Sequence, residues 1–342
     1  MSYFAQEMYE QPAILKKLFV DSPIKEAAYA LRQRKPNVIL SLARGSSDNA
    51  ASFFAYLSGR YLGLPVASIP PSLFSVYQSQ IEADKAVAIA ISQSGESSDV
   101  VASIKALNQT GVMSISISNH PESSLAKASH YSLLQGAGLE KAVAASKTFS
   151  SQVMILALLA AYASESEELL NALKAVPEAM EALFADDTSI KLTAARLTHA
   201  ESLYILGRGL SYAVALEIAL KLKEMCYLHA QAYSSAEFQH GPIAAVDATD
   251  PVLLLALNDA TLDSNQTILK KLKNIPADIS LMSSLADLAK DVQSSIILKN
   301  AHPVTEAFLL IAAGQALALQ LTLSKGLDPD KPRHLNKVTQ TL

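Results

Sequence analysis

The chain consists of two halves that repeat the same order of strand-like runs. In each half, four short and largely apolar runs are separated by helical patterns or turns, which is typical of a parallel α/β layer. The runs are 37–42, 86–92, 112–118 and 131–134 in the first half, and 202–206, 251–257, 278–282 and 295–298 in the second. Positions 89 and 253, 115 and 279, and 132 and 296 are each separated by 164 residues. This common offset predicts two tandem αβα sandwiches, each with a parallel sheet, and disfavours the alternative of one large doubly wound sheet.

Length and composition agree with two domains of ordinary size. Of the 342 residues, 50% are hydrophobic and 18% are charged, which is enough apolar surface for two cores. We predict a helical segment over 1–30, a first α/β domain over 31–165, a second over 166–325, and a C-terminal tail over 326–342. A helical pattern from about 149 to 185 links the two sheets.

Charge and cysteine content exclude several classes of protein. The net charge of −4 gives no general attraction to nucleic acid or to an anionic membrane. The first residues lack the basic and then apolar order of a signal peptide, and the apolar stretch 153–163 is too short to cross a bilayer. A single cysteine, Cys226, allows no intramolecular disulfide and no cysteine-based metal cluster. We therefore expect a soluble cytoplasmic protein with no metal and with neither nucleic acid nor membrane as a partner.

Hydroxyl-rich turns follow two predicted strands of the first half. Each turn precedes a helical pattern, and the backbone N–H groups at a helix start attract phosphate. The candidate phosphate ligands are Ser47, Ser92, Gln93, Ser94 and Ser97. The alternative is that a serine such as Ser47 is a plain helix N-cap, and the helix dipole accounts for the nearby acidic residues Asp48, Glu96 and Asp99. The glycine patterns of P-loops and dinucleotide-binding folds are missing, so we expect no nucleotide cofactor.

Candidate acid–base residues lie in the second half and in the tail. The spacing predicts a helix that carries Glu224 and Tyr227 on one side, where a largely apolar surface favours proton transfer by the glutamate; the alternative is a surface Lys–Glu pair. His240 precedes Gly-Pro and is expected at a helix end or tight turn, where it is either structural or catalytic. Two prolines limit the flexibility of the tail, and we predict that it closes over a bound anion with Arg333 and Lys337. The alternative is a mobile chain end.

These motifs together resemble the isomerase half of glucosamine-6-phosphate synthase, which is built from tandem sugar isomerase (SIS) domains. The similarity covers nearly the whole chain and implies two flavodoxin-like sandwiches. The ending 337–342 and the segment 234–238 look closest to the stand-alone SIS-type glucosamine-6-phosphate deaminases of amino-sugar catabolism. The matching motifs are Gly45-Ser46-Ser47, Ser92-Gln93-Ser94-Gly95-Glu96-Ser97, Val143-Ala-Ala-Ser146-Lys147, Lys221-Leu-Lys223-Glu224, Glu237-Phe-Gln-His240-Gly-Pro and Pro332-Arg333-His-Leu-Asn336-Lys337-Val.

The resemblance implies a role for each matching position. The serines and Gln93 hold the sugar phosphate, and the backbone near Val143 and Asn336 contacts the sugar, although Asn336 stands where the family has a small residue. Glu224 moves a proton between C1 and C2, and Lys337 matches the lysine that forms a Schiff base with the ketose. His240 assists ring opening from the neighbouring subunit, which implies a homodimer with shared active sites. Lys221 and Arg333 position the tail and the open-chain sugar.

One difference from the synthase determines which direction of the reaction we expect. The synthase releases ammonia in an N-terminal glutaminase domain, whereas this chain has about 30 residues before its first strand and no cysteine there. We therefore expect deamination of glucosamine 6-phosphate to fructose 6-phosphate and ammonia. The alternatives are another SIS isomerase or deaminase, acting on galactosamine 6-phosphate or a fructosamine phosphate, and a non-catalytic sugar-phosphate sensor.

Overall fold

The chain divides into two compact units, each built around its own sheet. The structure is a computed structural model, and it describes residues 1–20, 22–275 and 277–337. The unit that we call the N-sheet unit comprises Ala13–Glu140, Lys147–Lys174 and, of the described tail residues, Asn336 and Lys337. The C-sheet unit comprises Met1–Pro12, Lys141–Ser146 and Ala175–Leu335.

The N-sheet unit contains a five-stranded parallel sheet in the order β2-β1-β3-β4-β5. Its strands are β1 (Val38–Leu42), β2 (Val66–Ser68), β3 (Ala86–Ile91), β4 (Met113–Ser118) and β5 (Tyr131–Leu134). Its helices are α2 (Ser22–Arg34), α3 (Ser46–Leu57, extended by a π-turn over Ser58–Leu62), α4 (Ser72–Ser75), α5 (Ser98–Gln109), α6 (Ser124–Ala128), α7 (Lys147–Ser164) and α8 (Glu167–Lys174). Helix α1 (Tyr3–Lys17), followed by a 3-10 turn over Leu18–Val20, begins in the C-sheet unit and ends in this one.

Both faces of this sheet are covered, as its sequence requires. Every residue of β3 is buried, which is why its run is continuously apolar rather than alternating. Its small residues Ala88 and Ala90 pack in one cluster with Val100 and Ile104 of α5. Helix α7 packs against α2 and α3. The result is a three-layer αβα sandwich, as predicted.

The C-sheet unit repeats this plan with a sheet in the order β10-β9-β8-β6-β7. Its strands are β6 (Ser202–Gly207), β7 (His229–Ser234), β8 (Pro251–Ala256), β9 (Asp278–Ser283) and β10 (Ser294–Ile297). Its helices are α9 (Val176–Ala185), α10 (Thr188–Leu197), α11 (Leu210–Cys226), α12 (Leu262–Asn274) and α13 (Pro303–Ser324), with 3-10 turns over Glu237–His240, Pro242–Ala245 and Ala286–Asp291. Two separate sheets with equivalent strand orders confirm the predicted duplication and rule out one large sheet.

Helix α13 is the central helix of the C-sheet unit. It is 22 residues long and apolar enough by length and composition to cross a membrane, with a mean hydropathy of 1.7 over its most apolar window, but 83% of that window is buried inside the structure. It packs against α9, α10 and α11. A helix that is buried to this extent is a core helix, and its apolar composition follows from its packing against other helices.

Candidate functional site

The serine-rich loops of the N-sheet unit leave the sheet at the point where the strand order reverses. Strand β1 pairs with β2 on one side and with β3 on the other, and Leu42 lies opposite Ala90 near the carboxyl ends of β1 and β3. Ligands of open α/β sheets bind in the crevice at such a switch point. The predicted phosphate ligands therefore occupy the position in the fold where a ligand is expected.

The β3–α5 loop contains four of the predicted phosphate ligands, three serines and Gln93. The hydroxyls of Ser92 and Ser97 are 3.2 Å apart, and Ser92 Oγ also accepts a bond from the N–H of Gly95 at 3.1 Å. Ser94 Oγ accepts from the N–H of Glu96 at 3.2 Å. Ser97 precedes the first residue of α5, but its side chain makes no capping bond. The Ser92 and Ser97 hydroxyls thus lie together beside the start of α5.

The β1–α3 loop places Ser47 at a second helix start. The N-cap of α3 is Gly45, at φ 56° and ψ −133°, so Ser47 lies inside the first turn and is buried. The alternative that Ser47 caps this helix is therefore wrong. The neighbouring strands β1 and β3 are each followed by a helix, and serine hydroxyls lie beside both helix N-termini. Such a pair of N-termini suits an anion with several oxygen atoms.

A network of hydrogen bonds holds the β3–α5 loop against the β4–α6 connection. The carbonyl of Gln93 accepts from the N–H of Asn119 at 3.1 Å. The Glu96 carboxylate accepts from the Ser124 hydroxyl at 2.6 Å and from the Ser124 N–H at 2.9 Å. These two bonds lower the pKa of Glu96. Glu96 therefore stabilises this loop through its hydrogen bonds from Ser124, in addition to the favourable position of its charge near a helix start.

An ion pair links the two serine-rich loops. Nε and Nη2 of Arg44 donate to Oδ2 of Asp99 at 3.1 and 2.7 Å. Asp99 is 1% exposed, whereas Arg44 is half exposed. Arg44 lies in the β1–α3 loop and Asp99 in the first turn of α5, so the pair fixes the spacing of the two loops. The sequence did not reveal this pairing, since 55 residues separate the partners.

The tail lysine is held by a buried carboxylate in the same unit. Lys337 Nζ lies 2.6 Å from Oε2 of Glu140, a residue whose side chain is fully buried. Glu140 also accepts from the N–H and the hydroxyl of Thr148 at the start of α7. Asn336 is exposed beside this pair. Residues 338–342 of the predicted tail lie outside the described residues.

In the C-sheet unit, α11 carries a buried lysine between two glutamates. Lys221 Nζ lies 2.5 Å from Glu224 Oε2 and 3.5 Å from Glu217 Oε1. Lys221 and Glu217 are almost fully buried, and Glu224 remains 22% exposed. This is not the surface pair considered as the alternative. The lysine fixes one oxygen of Glu224 while the side chain stays partly exposed, which suits a proton-transferring group.

The predicted helix ends earlier than its spacing indicated. Helix α11 ends at Cys226, and Tyr227 adopts a left-handed conformation with φ 56°, so the prediction that Tyr227 continues the Glu224 face is wrong. The Tyr227 hydroxyl instead accepts from the N–H of Arg333 at 3.0 Å, and the Arg333 guanidinium lies 4.3 Å from the centre of its ring. Tyr227 therefore anchors the tail at the end of the Glu224 helix.

The remaining predicted site residues have less defined surroundings. His240 is exposed at the end of the 3-10 turn Glu237–His240, as its Gly-Pro neighbours predicted. Val143 is half-buried in an irregular segment between β5 and α7. Within residues 1–20, 22–275 and 277–337, no three His, Cys, Asp or Glu side chains are grouped to hold a metal ion.

Comparison with known proteins identifies the family. The SIS domain family matches residues 31–162 and 196–322, one segment for each sheet. The chain belongs to the SIS-domain family. Glutamine–fructose-6-phosphate aminotransferase (isomerizing) from Salmonella typhi is 31% identical over 98% of this chain, and the chain spans only 58% of that relative's length.

Two solved structures are similar to this chain over nearly its whole length. A proposed phosphosugar isomerase from Silicibacter pomeroyi DSS-3 has 33% identity and a TM-score of 0.87, covering 96% of this chain and 100% of its own. Glucosamine-6-phosphate deaminase from Thermotoga maritima has 24% identity and a TM-score of 0.78, covering 99% of this chain and 100% of its own. At that identity, the second likeness concerns the fold alone.

The two SIS domains differ in the use of equivalent loops. Gly209 before α11 has φ 62° and ψ −132°, nearly the values of Gly45 before α3. In the second SIS domain, however, the Ser211 hydroxyl accepts from the Arg208 N–H and donates to the Arg208 carbonyl. Ser92 and Ser94 also accept bonds within their own loop, so the larger number of serines makes the switch point of the first SIS domain the better candidate for phosphate.

Proposed function

We propose that this chain is an enzyme of the phosphosugar isomerase type and that its substrate is an amino-sugar phosphate. The contact between Lys221 and Glu224 carries the proposal. A buried ammonium holds one carboxylate oxygen, and Glu217 balances the lysine charge, so Glu224 is oriented without being fully withdrawn from solvent. A sensor that only binds a sugar phosphate has no need for an oriented, partly exposed carboxylate.

The serine-rich loops of the first SIS domain are proposed to hold the phosphate of this substrate. Uncharged hydroxyls and the N–H groups at the starts of α3 and α5 supply hydrogen bonds to a dianion. The proposed ligands are Ser47, Ser92, Gln93, Ser94 and Ser97. The Silicibacter pomeroyi structure, at 33% identity, supports a phosphosugar as the substrate class.

The proposed reaction is the conversion of glucosamine 6-phosphate and water to fructose 6-phosphate and ammonia. After ring opening, aided by His240, Glu224 removes the proton on C2 and returns it to C1, while a proton passes from the nitrogen to the C1 oxygen. The amino aldehyde thereby becomes an imine at C2 and an alcohol at C1. Water adds to C2, ammonia leaves, and the ketose remains. Lys337 is proposed either to form a Schiff base with the ketose or to act as a cation near it.

We further propose a homodimer in which His240 serves the active site of the partner subunit. The exposure of His240 in the single chain supports this, because its side chain is accessible to a second copy. A cytoplasmic location and independence from metals and cofactors remain predictions.

Measurement of ammonia and fructose 6-phosphate tests the proposal. Purified protein is incubated with glucosamine 6-phosphate, galactosamine 6-phosphate or a fructosamine phosphate, and both products are quantified with coupled enzymes. We expect equal amounts of ammonia and fructose 6-phosphate from glucosamine 6-phosphate. Fructose 6-phosphate formed from glucose 6-phosphate, a nitrogen-free aldose phosphate, with no ammonia from any amino sugar would favour a simple isomerase. Binding without turnover of any sugar would favour a sensor.

A matched pair of variants tests the role of Glu224. Glu224→Gln keeps the shape of the side chain but removes its basicity, so we expect turnover to fall by about 100-fold or more. The control is Glu178→Gln, at an exposed glutamate on α9. Equal turnover by the two variants would refute the proton-transfer role.

A further inference from the structure

A buried glutamate of helix α1 holds the segment that carries Val143. Glu7 is 3% exposed, and its carboxylate accepts hydrogen bonds from the backbone N–H of Lys141 and, at 3.2 Å, from that of Ala142. All three residues belong to the C-sheet unit. Burying a carboxylate is costly unless hydrogen bonds replace its water. Glu7 therefore binds this segment tightly, and the segment in turn depends on Glu7 for its conformation.

The other end of the same segment is held by a second contact from α1. Gln11 is fully buried, and its Nε2 donates to Oε1 of Gln315 on α13 at 2.7 Å. Nε2 of Gln315 then donates to the carbonyl of Ser146 at 3.3 Å. The segment 141–146 lacks regular secondary structure. Helix α1 thus holds both ends of segment 141–146, one directly through Glu7 and the other by way of Gln315.

Helix α1 also holds the base of the tail. The Asp330 carboxylate accepts from the N–H of Tyr3 at 2.7 Å and from that of Phe4 at 2.9 Å. These are N–H groups of the first turn of α1, which have no partner within the helix, and a carboxylate there is favoured by the helix dipole. Asp330 lies three residues before Arg333. One helix thus contacts two segments that carry predicted sugar-binding residues.

We propose that Glu7 is a positioning residue for sugar binding, which holds the backbone at Val143 in its binding conformation. This inference rests on the proposed function, because that function assigns the sugar contact to Val143. The Glu7 carboxylate is bonded to the backbone of Lys141 and Ala142, so it acts on Val143 through the main chain. We therefore expect replacement of Glu7 to weaken binding of the sugar part of the substrate and to leave binding of phosphate unchanged.

Glu7→Gln tests this inference, with Glu26→Gln as the matched control. The amide of glutamine retains one acceptor but points an NH₂ group at the second backbone N–H, whereas Glu26 is exposed on α2. We expect the KM for the sugar phosphate to rise about tenfold, the scale of one lost hydrogen bond to a charged group. The inhibition constant of inorganic phosphate should stay the same. Amide hydrogen exchange of Lys141 and Ala142 should also accelerate by about tenfold.

A second variant and a binding measurement keep the test decisive. Glu7→Asp retains the charge but shortens the side chain, and it replaces Glu7→Gln if the latter fails to fold by circular dichroism. Unchanged exchange or an unchanged KM would overturn the inference, as would equal increases in KM and in the phosphate inhibition constant. If the unaltered protein binds glucosamine 6-phosphate without turnover, only the proposed function fails. The dissociation constant then replaces KM, and equal values for Glu7→Gln and Glu26→Gln overturn the inference.

Discussion

Replacement of Gly95 by alanine should destabilise the serine-rich loop through two separate costs. Gly95 has φ +69°, and a Cβ built on it would lie 2.3 Å from Ser123 Oγ and 2.5 Å from Ser123 Cβ. A left-handed backbone costs an alanine about 1–2 kcal/mol. Overpacking of this kind costs about 1–3 kcal/mol more. We therefore expect Gly95→Ala to lower the free energy of unfolding by about 2–5 kcal/mol.

Gly63→Ala separates the two costs. Gly63 has nearly the same φ, +67°, but a Cβ there would meet no atom within 4 Å, so only the backbone cost of about 1–2 kcal/mol applies. The free energies of unfolding of both variants and of the unaltered protein are measured in urea, with circular dichroism as the signal. Equal losses at the two positions would refute the steric argument. A weaker affinity for inorganic phosphate in Gly95→Ala alone would further tie the loop geometry to anion binding.

Three more predictions concern groups described above. Arg44→Gln leaves the buried Asp99 carboxylate without its cation and should cost about 1–3 kcal/mol in urea unfolding, which Arg44→Gln combined with Asp99→Asn should largely restore; no restoration would argue against the pair. Burial raises the pKa of the Cys226 thiol to about 11, so iodoacetamide at pH 8 should alkylate it slowly in the folded protein and rapidly in urea. Because Ser124 lowers the pKa of Glu96, the folded state gains stability from ionised Glu96 above its unfolded pKa and loses it as the pH falls through the lower folded value. The stability difference between the unaltered protein and Glu96→Gln, measured by thermal unfolding, should therefore shrink with falling pH, and a constant difference would contradict this.

The sheets were predictable where burial determines the sequence. Strands β3 and β8 are buried at every residue, and such strands must be apolar throughout. The edge strands β2 and β7 were missed because they lack this signal. Strand β2 has only three residues, all at least partly exposed, and β7 has only one buried residue, Ala230.

The candidate site was predictable where its residues are close in sequence. The cluster of Ser92 and Ser97 follows from one short motif, whereas the partners of Lys337 and Lys141 are 197 and 134 residues away. Such pairs depend on tertiary packing, which no local pattern reports. Glu217 is different, because it lies four residues before Lys221 and the helical spacing rule would have paired them.

The matching turns at Gly45 and Gly209 indicate how a duplicated fold can diverge. After a duplication, both copies inherit the same backbone route from strand to helix, and selection then acts on the side chains that project from it. The loops of the first copy carry the serines proposed to bind phosphate, whereas in the second copy the Ser211 hydroxyl is bonded to its own loop. Loss of an activity in one copy therefore requires no change in main-chain shape, and a new specificity is accessible there through a few substitutions.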